Sequence, residues 1–477
     1  MSSTPLAECA APRLEDPVPL ETAAAVCLHR KLTSFGVLLL TVSCLSPVFS
    51  VYGPGSDVLQ HVGTGAAALF LAGIGAALVW ATIYAELGSA YPYAGGDYVG
   101  VGSILGPAAG FACLALWAAT VLPTNAYLAQ VVATYVTEAA PGVPAYVVTF
   151  GTLALAVGIA LFSVRLSALV TGLFLGIEML AVLVLIVAGF RHGAAGLSAM
   201  LMHPALPAED GRWVSVGAGA LALSAINAAY ATVGGNQAIA FGEELIDPHR
   251  RMGGVILIAC LGGALAIALP VIGVVVGAGH DAAIYRSAAP LSAFVSSVAG
   301  ATAARALSAC VALAIFNALI ASVMFSARLF FSFGRDEVFP APLSAALARV
   351  HGTSGAPRVA TLVVGVVSAA CCLLDTHVLL VFVSGLVVYG LALVSLAVLV
   401  GRSKGLTGAS GFWRSPLFPL APVLGLALAA VFAAAGLADR SAGRPSLFIL
   451  GALLTVAILW YHRVLKRRPE GWSPRIR

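Results

Sequence analysis

From residue 34 to residue 465 the chain is a succession of apolar stretches, each about 20 residues long, the length a helix needs to cross a bilayer core of ~30 Å. Hydrocarbon offers no partner to a backbone N–H or C=O, so each stretch must satisfy its own polar groups, and α-helices are predicted throughout. Composition agrees: 60% of the 477 residues are hydrophobic, 9% are charged and the mean hydropathy is +1.00, against roughly 25% charge in soluble domains. An all-α polytopic membrane protein is expected, and separate soluble domains are excluded. About twelve transmembrane helices are predicted, near 34–60, 64–90, 106–136, 144–163, 166–189, 214–242, 253–278, 299–333, 357–374, 377–400, 416–437 and 446–465.

An even number of spans places both termini on one side, and the cations then sort unevenly. Only Arg191, Arg212, Arg286, Arg305, Arg440 and Arg444 of the 25 Lys and Arg fall on the face opposite the termini. Cytoplasmic segments carry the excess of Lys and Arg, so both termini are predicted to be cytoplasmic, in a plasma or inner membrane. No apolar leader with a small-residue cleavage site opens the chain. The eight cysteines are scattered, mostly within apolar runs, with no CxxC pair, and the nine histidines form no HExxH. No catalytic residue, cofactor or metal site is therefore predicted, and the net charge of +5 reports orientation rather than nucleic-acid binding.

Two of the predicted helices cannot be continuous. The sixth holds Tyr230-Ala231-Thr232-Val233-Gly234-Gly235-Asn236-Gln237 at membrane depth; adjacent glycines weaken a helix, and freed backbone groups are tolerable there only where protein or a watery cavity satisfies them. The first holds Ser43-Cys44-Leu45-Ser46-Pro47-Val48-Phe49-Ser50, where Pro47 removes one N–H and clashes with the preceding turn, predicting a break near Ser43 to Ser46. Interruptions at matched positions of two five-helix sets point to a solute site at the repeat interface. Glu178 near the centre of the fifth span is the other exception: a charge there costs at least ~2.5 kcal/mol, so it must face a cavity, meet a partner or carry a proton.

Three segments carry a family resemblance. The second span ends Tyr84-Ala85-Glu86-Leu87, followed by Tyr91-Pro92-Tyr93-Ala94-Gly95-Gly96-Asp97-Tyr98; the sixth gives Gly234 and then Glu243-Glu244-Leu245-Ile246-Asp247-Pro248-His249-Arg250-Arg251. The eighth gives Asn317, Arg328 and Gly334-Arg335-Asp336-Glu337-Val338-Phe339-Pro340, with Ala356-Pro357-Arg358 beyond. These resemble the amino acid/polyamine/organocation (APC) superfamily of secondary transporters over spans one to ten. The resemblance implies a 5+5 inverted-repeat (LeuT-like) core with helices 1 and 6 broken, plus helices 11 and 12. It divides the chain into a cytoplasmic tail 1–31, a core 32–400 with repeats about 32–189 and 214–400, spans 11–12 over 401–465, and a cytoplasmic tail 466–477.

A membrane permease for amino acids or related amino compounds, working by alternating access, is thus expected. Its substrate carboxylate would meet N–H groups across Ser46, Pro47, Val48, Phe49 and Ser50, aided by the Ser43 hydroxyl. The ammonium would meet carbonyls of Tyr230, Ala231, Thr232 and Val233 beside Gly234 and Gly235. Tyr230 is a candidate gate; Asn125, Asn236 and Asn317 are further polar groups at that depth. Glu178 is the candidate coupling residue, with H+ as the coupling ion, and Glu243, Glu244, Arg328 and Arg335 are candidate partners in a cytoplasmic gate. Pro47 stands where many relatives have glycine, which leaves a polyamine or organic-cation permease and an amino acid exchanger as alternatives, with a non-transporting solute sensor as the rival from another class. A homodimer through spans 11 and 12 is a further expectation.

Overall fold

The computed structural model describes residues 32–93, 95–161, 168–193, 196–349, 357–468 and 472. The tail 1–31 and most of the last nine residues lie outside them, as do Ala94 and Ala356 of the signature segments. The chain enters through α1 (Ser34–Leu45), whose first turn is capped by Thr33, its side-chain oxygen accepting from Gly36 N–H at 3.2 Å. It continues through α2 (Pro47–Ser50), a π-helical turn over Val51–Gly55 and α3 (Ser56–Val62), and then α4 (Ala66–Ala90). A short α5 (Asp97–Leu105) precedes the long α6 (Pro107–Ala139), α7 (Ala145–Leu161) and α8 (Ala168–Arg191). Next come α9 (Leu197–Met202) and a small antiparallel hairpin, β1 (Ala205–Pro207) with β2 (Trp213–Ser215), in which Leu206 faces Val214.

The second half opens with α10 (Ala218–Thr232), followed by a 3-10 stretch over Gly235–Phe241 and α11 (Pro248–Ala278). Two short helices, α12 (Ala282–Arg286) and α13 (Pro290–Ala299), lead to α14 (Ala301–Arg335). The rest is α15 (Ala341–Leu347), α16 (Arg358–Cys371), α17 (Thr376–Ser403), α18 (Leu420–Ala438) and α19 (Gly443–Trp460). Eight helical stretches among the described residues are long and apolar enough to cross a membrane, the first of them, Ser34–Ala90, containing both α1 to α3 and α4. The fold is that of an all-α polytopic membrane protein. Large apolar side chains such as Phe448, Leu373, Val366 and Leu180 are exposed on its flanks, where water would penalise them and lipid does not.

Packing runs along a few long seams. α4 lies against α11, α6 against α14, and α8 against α11. In the last pair Gly189 meets Gly273 so closely that a methyl on Gly189 would strike the Gly273 backbone, the small-residue contact by which membrane helices gain dispersion energy without a hydrophobic driving force.

One end of the bundle is held by a buried polar knot. Glu86 of α4 is fully buried and takes a bidentate ion pair from Arg402 of α17, with Arg402 Nε at 2.9 Å from Oε1 and Nη2 at 2.5 Å from Oε2. The same carboxylate accepts from Thr407 Oγ1 at 3.0 Å and Ser415 N at 3.1 Å, and the guanidinium lies 4.1 Å from the Phe418 ring centroid. Each charge is thus neutralised and hydrogen-bonded, the condition under which a desolvated pair is tolerated. Ser89, one turn on, pairs with His249 through both its hydroxyl and its carbonyl and accepts from Trp413 N at 2.8 Å.

Replacing Arg402 by Ala leaves Glu86 buried and unpaired, and is expected to lower stability by ~3–5 kcal/mol. Glu86→Gln with Arg402→Met should lose much less. Thermal unfolding of purified variants in detergent checks this ordering.

Candidate functional site: two broken helices around Glu178

α1 ends because Ser46 adopts a left-handed conformation (φ 42°, ψ 80°), its N–H still bonding to Val42 O at 3.2 Å. Pro47 then occupies the first position of α2, where its missing N–H costs no hydrogen bond. The predicted break is therefore present, and the proline starts a helix rather than distorting one. Beyond it, Pro54 lies inside the π-helical turn, and the Tyr52 carbonyl is satisfied from outside by Tyr135 Oη at 2.8 Å.

Glu178 of α8 reaches into this break. Its Oε2 accepts from Ser46 Oγ at 3.2 Å, and the Val48 N–H also bonds to the carboxyl. At 2% exposure it is enclosed by α2, α8 and their neighbours. The first N–H groups of a helix lack intrahelical partners and carry partial positive charge, so a carboxyl oxygen is the natural group to meet them.

The second break follows α10. Val233 is extended, and Gly234 has φ 151°, ψ −9°, a conformation that side chains oppose. A Cβ on Gly234 would meet Leu45 of α1, so the two breaks touch directly. Val233 N bonds to Tyr230 O at 3.4 Å, and the Thr232 hydroxyl turns back to Gly73 O of α4 and to its own helix at Ala228 and Ala229. Among the described residues no hydrogen-bond donor reaches the carbonyls of Ala231, Thr232 or Val233. Three acceptors thus lie close to the Glu178-filled break. Pro47, Val48, Phe49, Ser50, Ala231, Thr232, Val233, Gly235 and Asn236 are all buried, Ser43, Tyr230 and Gly234 half-buried. The site is closed.

Tyr230 hydrogen-bonds Thr124 of α6, and Phe49 meets Tyr127 edge-on with centroids 5.6 Å apart, so aromatic side chains of α2 and α10 pack against α6 beside the breaks. Asn125 belongs to a different group: it donates to Ser326 Oγ (3.2 Å) and Ser368 Oγ (3.3 Å) and accepts from Ser322 Oγ (2.6 Å), joining α6, α14 and α16. Asn317 is half-buried on α14. A concavity along Leu180, Leu183, Val184, Val187, Arg191 and His192 of α8 is an open apolar flank, and none of the residues at the two breaks lines it.

At the bundle end that holds the Glu86 knot, Tyr98 lies within electrostatic range of Arg335, Asp336 and Glu243, and Arg335 Nε pairs with Asp336 Oδ1 at 3.4 Å. Arg328 is exposed on α14 and forms no ion pair among the described residues. Glu244 contributes its backbone: Leu32 N bonds to Glu244 O at 2.9 Å and Ile246 N to Leu32 O at 3.0 Å. The start of α1 is thereby stitched to the loop after the second break, a contact for which the sequence carries no local signal.

A family model described as amino acid permease matches residues 32–458. The chain belongs to the amino acid permease family. It is a transporter of the APC superfamily rather than an enzyme. Among curated proteins it is similar to Asc-type amino acid transporter 1 of Mus musculus and of Rattus norvegicus, each 28% identical over 394 residues, covering 77% of this chain and 71% of the relative. The Homo sapiens protein of that name is 29% identical over 236 residues, 46% of this chain and 44% of its own length. The breaks in this permease lie at Ser46 and at Val233–Gly234.

Gly234→Ala is expected to cost ~1–3 kcal/mol through its backbone conformation, on top of the clash with Leu45. Adding Leu45→Ala should relieve the clash and leave the conformational loss. Unfolding midpoints of the single and double variants separate the two.

Proposed function

We propose that this permease is a secondary active transporter that moves an amino acid or related amino compound across a plasma or inner membrane by alternating access, coupled to protons through Glu178. Twelve spans are read from α1–α3, α4, α6, α7, α8, α10 with its 3-10 continuation, α11, α14, α16, α17, α18 and α19, with both termini cytoplasmic. The first ten form the two repeats. The observation that carries the reading is Glu178 seated between Ser46 Oγ and Val48 N–H at the break of the first helix, with open carbonyls of the second break nearby.

In this closed state Glu178 holds donors that a substrate carboxylate would need. A proton arriving at Glu178 neutralises it and releases Val48 N–H and Ser46 Oγ. The substrate carboxylate takes them, and its ammonium meets the carbonyls of Ala231 to Val233. Substrate and proton are then bound together because an ionised Glu178 and a substrate carboxylate compete for the same donors. Discharge of both on the cytoplasmic side returns Glu178 to the break. Opening there requires the Leu32–Glu244–Ile246 backbone pairing to part, with Tyr98, Glu243, Arg335 and Asp336 around it. The amino acid transporter name carried by the relatives supports the substrate class.

Proteoliposomes with an imposed proton gradient test this. Wild type should accumulate substrate, whereas Glu178→Gln should only equilibrate it, with an inside-to-outside ratio of about one, since a neutral amide carries no proton. Accumulation by Glu178→Gln that still follows the proton gradient would overturn the coupling role. A thermal-shift screen against amino acids and amines identifies the substrate, because a bound ligand stabilises by mass action.

A further inference from the structure

Far from Glu178, at the other end of the same helical piece, three metal-ligating side chains converge. Asp57 is on α3, as is His61 one turn on, and His377 is at the start of α17. His377 Nδ1 lies 2.7 Å from Asp57 Oδ1, and His61 Nδ1 lies 3.5 Å from the same oxygen. The two imidazoles stack with centroids 3.9 Å apart and 20° between planes. One ligating atom from each of the three residues falls within 4.8 Å of the others.

The group is also supported and accessible. Asn227 of α10 donates from Nδ2 to Asp57 Oδ2 at 3.0 Å, fixing the carboxylate so that Oδ1 faces the imidazoles. The side chains of Asp57, His377 and His61 are 11%, 20% and 42% exposed, so the group has a buried floor and an open mouth.

We propose that Asp57, His61 and His377 bind a divalent transition metal of the zinc class, and that the bound ion staples α3 to α17 and holds this end of the permease shut. Two imidazoles and one carboxylate suit zinc, leaving a fourth position for water. Magnesium and calcium prefer all-oxygen shells and are excluded by the imidazoles. Tetrahedral ligation at about 2.0–2.1 Å puts ligand atoms roughly 3.3 Å apart, so the side chains must draw together, and His61 must either release the 2.8 Å contact of its Nδ1 with Asp57 O or ligate through Nε2. Asn227 belongs to the first helix after the hairpin, so the staple also engages the outer half of the second broken helix.

The site stands independently of transport; its effect on flux rests on the proposed function, and the orientation proposed there makes this the extracellular face. Purified protein titrated with zinc chloride in a thermal-shift assay decides the site. Wild type should be stabilised by micromolar zinc and not by magnesium. His377→Gln, which keeps a donor for Asp57, and His61→Ala should weaken binding by about a hundredfold, and Asn227→Ala by about tenfold. His377→Cys should retain zinc binding, and His280→Ala should match wild type. No zinc stabilisation in wild type, or stabilisation that survives both His377→Gln and His61→Ala, overturns the site. External zinc should then inhibit uptake by wild type and spare His377→Gln; zinc binding without inhibition overturns the staple.

Discussion

Backbone groups freed at membrane depth must be satisfied by the protein itself, and that constraint organises this permease. Each break frees groups of one sign. The start of α2 offers N–H groups, and a carboxyl, Glu178, is brought to them across the bundle. The end of α10 offers carbonyls; Val233 N–H and the Thr232 hydroxyl satisfy those of Tyr230, Ala228 and Ala229 and leave three acceptors open. The two breaks meet through Leu45 and Gly234. Groups of opposite sign at the two breaks are what, in the proposed function, would suit a zwitterion better than a purely cationic amine.

The signature residues divide by role. Glu86, Asp97 and His249 make their side-chain hydrogen bonds away from both breaks. Asp97 accepts from Tyr84 Oη at 3.0 Å and Trp117 Nε1 at 3.3 Å, locking α5 between α4 and α6. Glu86 ties α4 to α17 and to the loop after it. These contacts keep the frame rigid, which matters because a closed site can open in a controlled way only if motion is confined to a few elements. At that end the start of α1 is tied to the loop after the second break by the two backbone bonds of Leu32.

Much of this was legible in the residues. Apolar run length marked the chain as an all-α polytopic membrane protein, and Pro47 and Gly234-Gly235 located both breaks, because each is a local property of backbone and hydrocarbon. Glu178 was legible because a lone carboxyl in an apolar run demands an explanation. Its partner was not, since Ser46 lies 132 positions away and only the fold brings α8 to α2. Asn125 shows the converse. Its depth singled it out, but its three serine partners make it a tie between helices. Arg328, chosen for its motif, points outward on α14. The Asp57–His377 contact spans 320 positions and has no local spacing to announce it.

The break and the histidine group are not separate devices, for they sit at the two ends of one helical piece, residues 47–62, joined through the π-helical turn. A stretch of 16 residues at 1.5 Å per residue is a rod of about 24 Å. If Glu178 lets go of its lower end and a substrate takes its place, any tilt of the rod is felt at Asp57. There the carboxylate is held from α10 by Asn227 and from α17 by His377, so opening that end must part at least one of these contacts. In the proposed cycle, rigidity alone would link protonation below to closure above. The rod's weak point is the π-helical turn around Pro54, where bending would absorb the tilt and uncouple the ends, and where Tyr135 braces Tyr52 and Ser56 from α6. On the proposed coupling role of Glu178, the brace would belong to the same path.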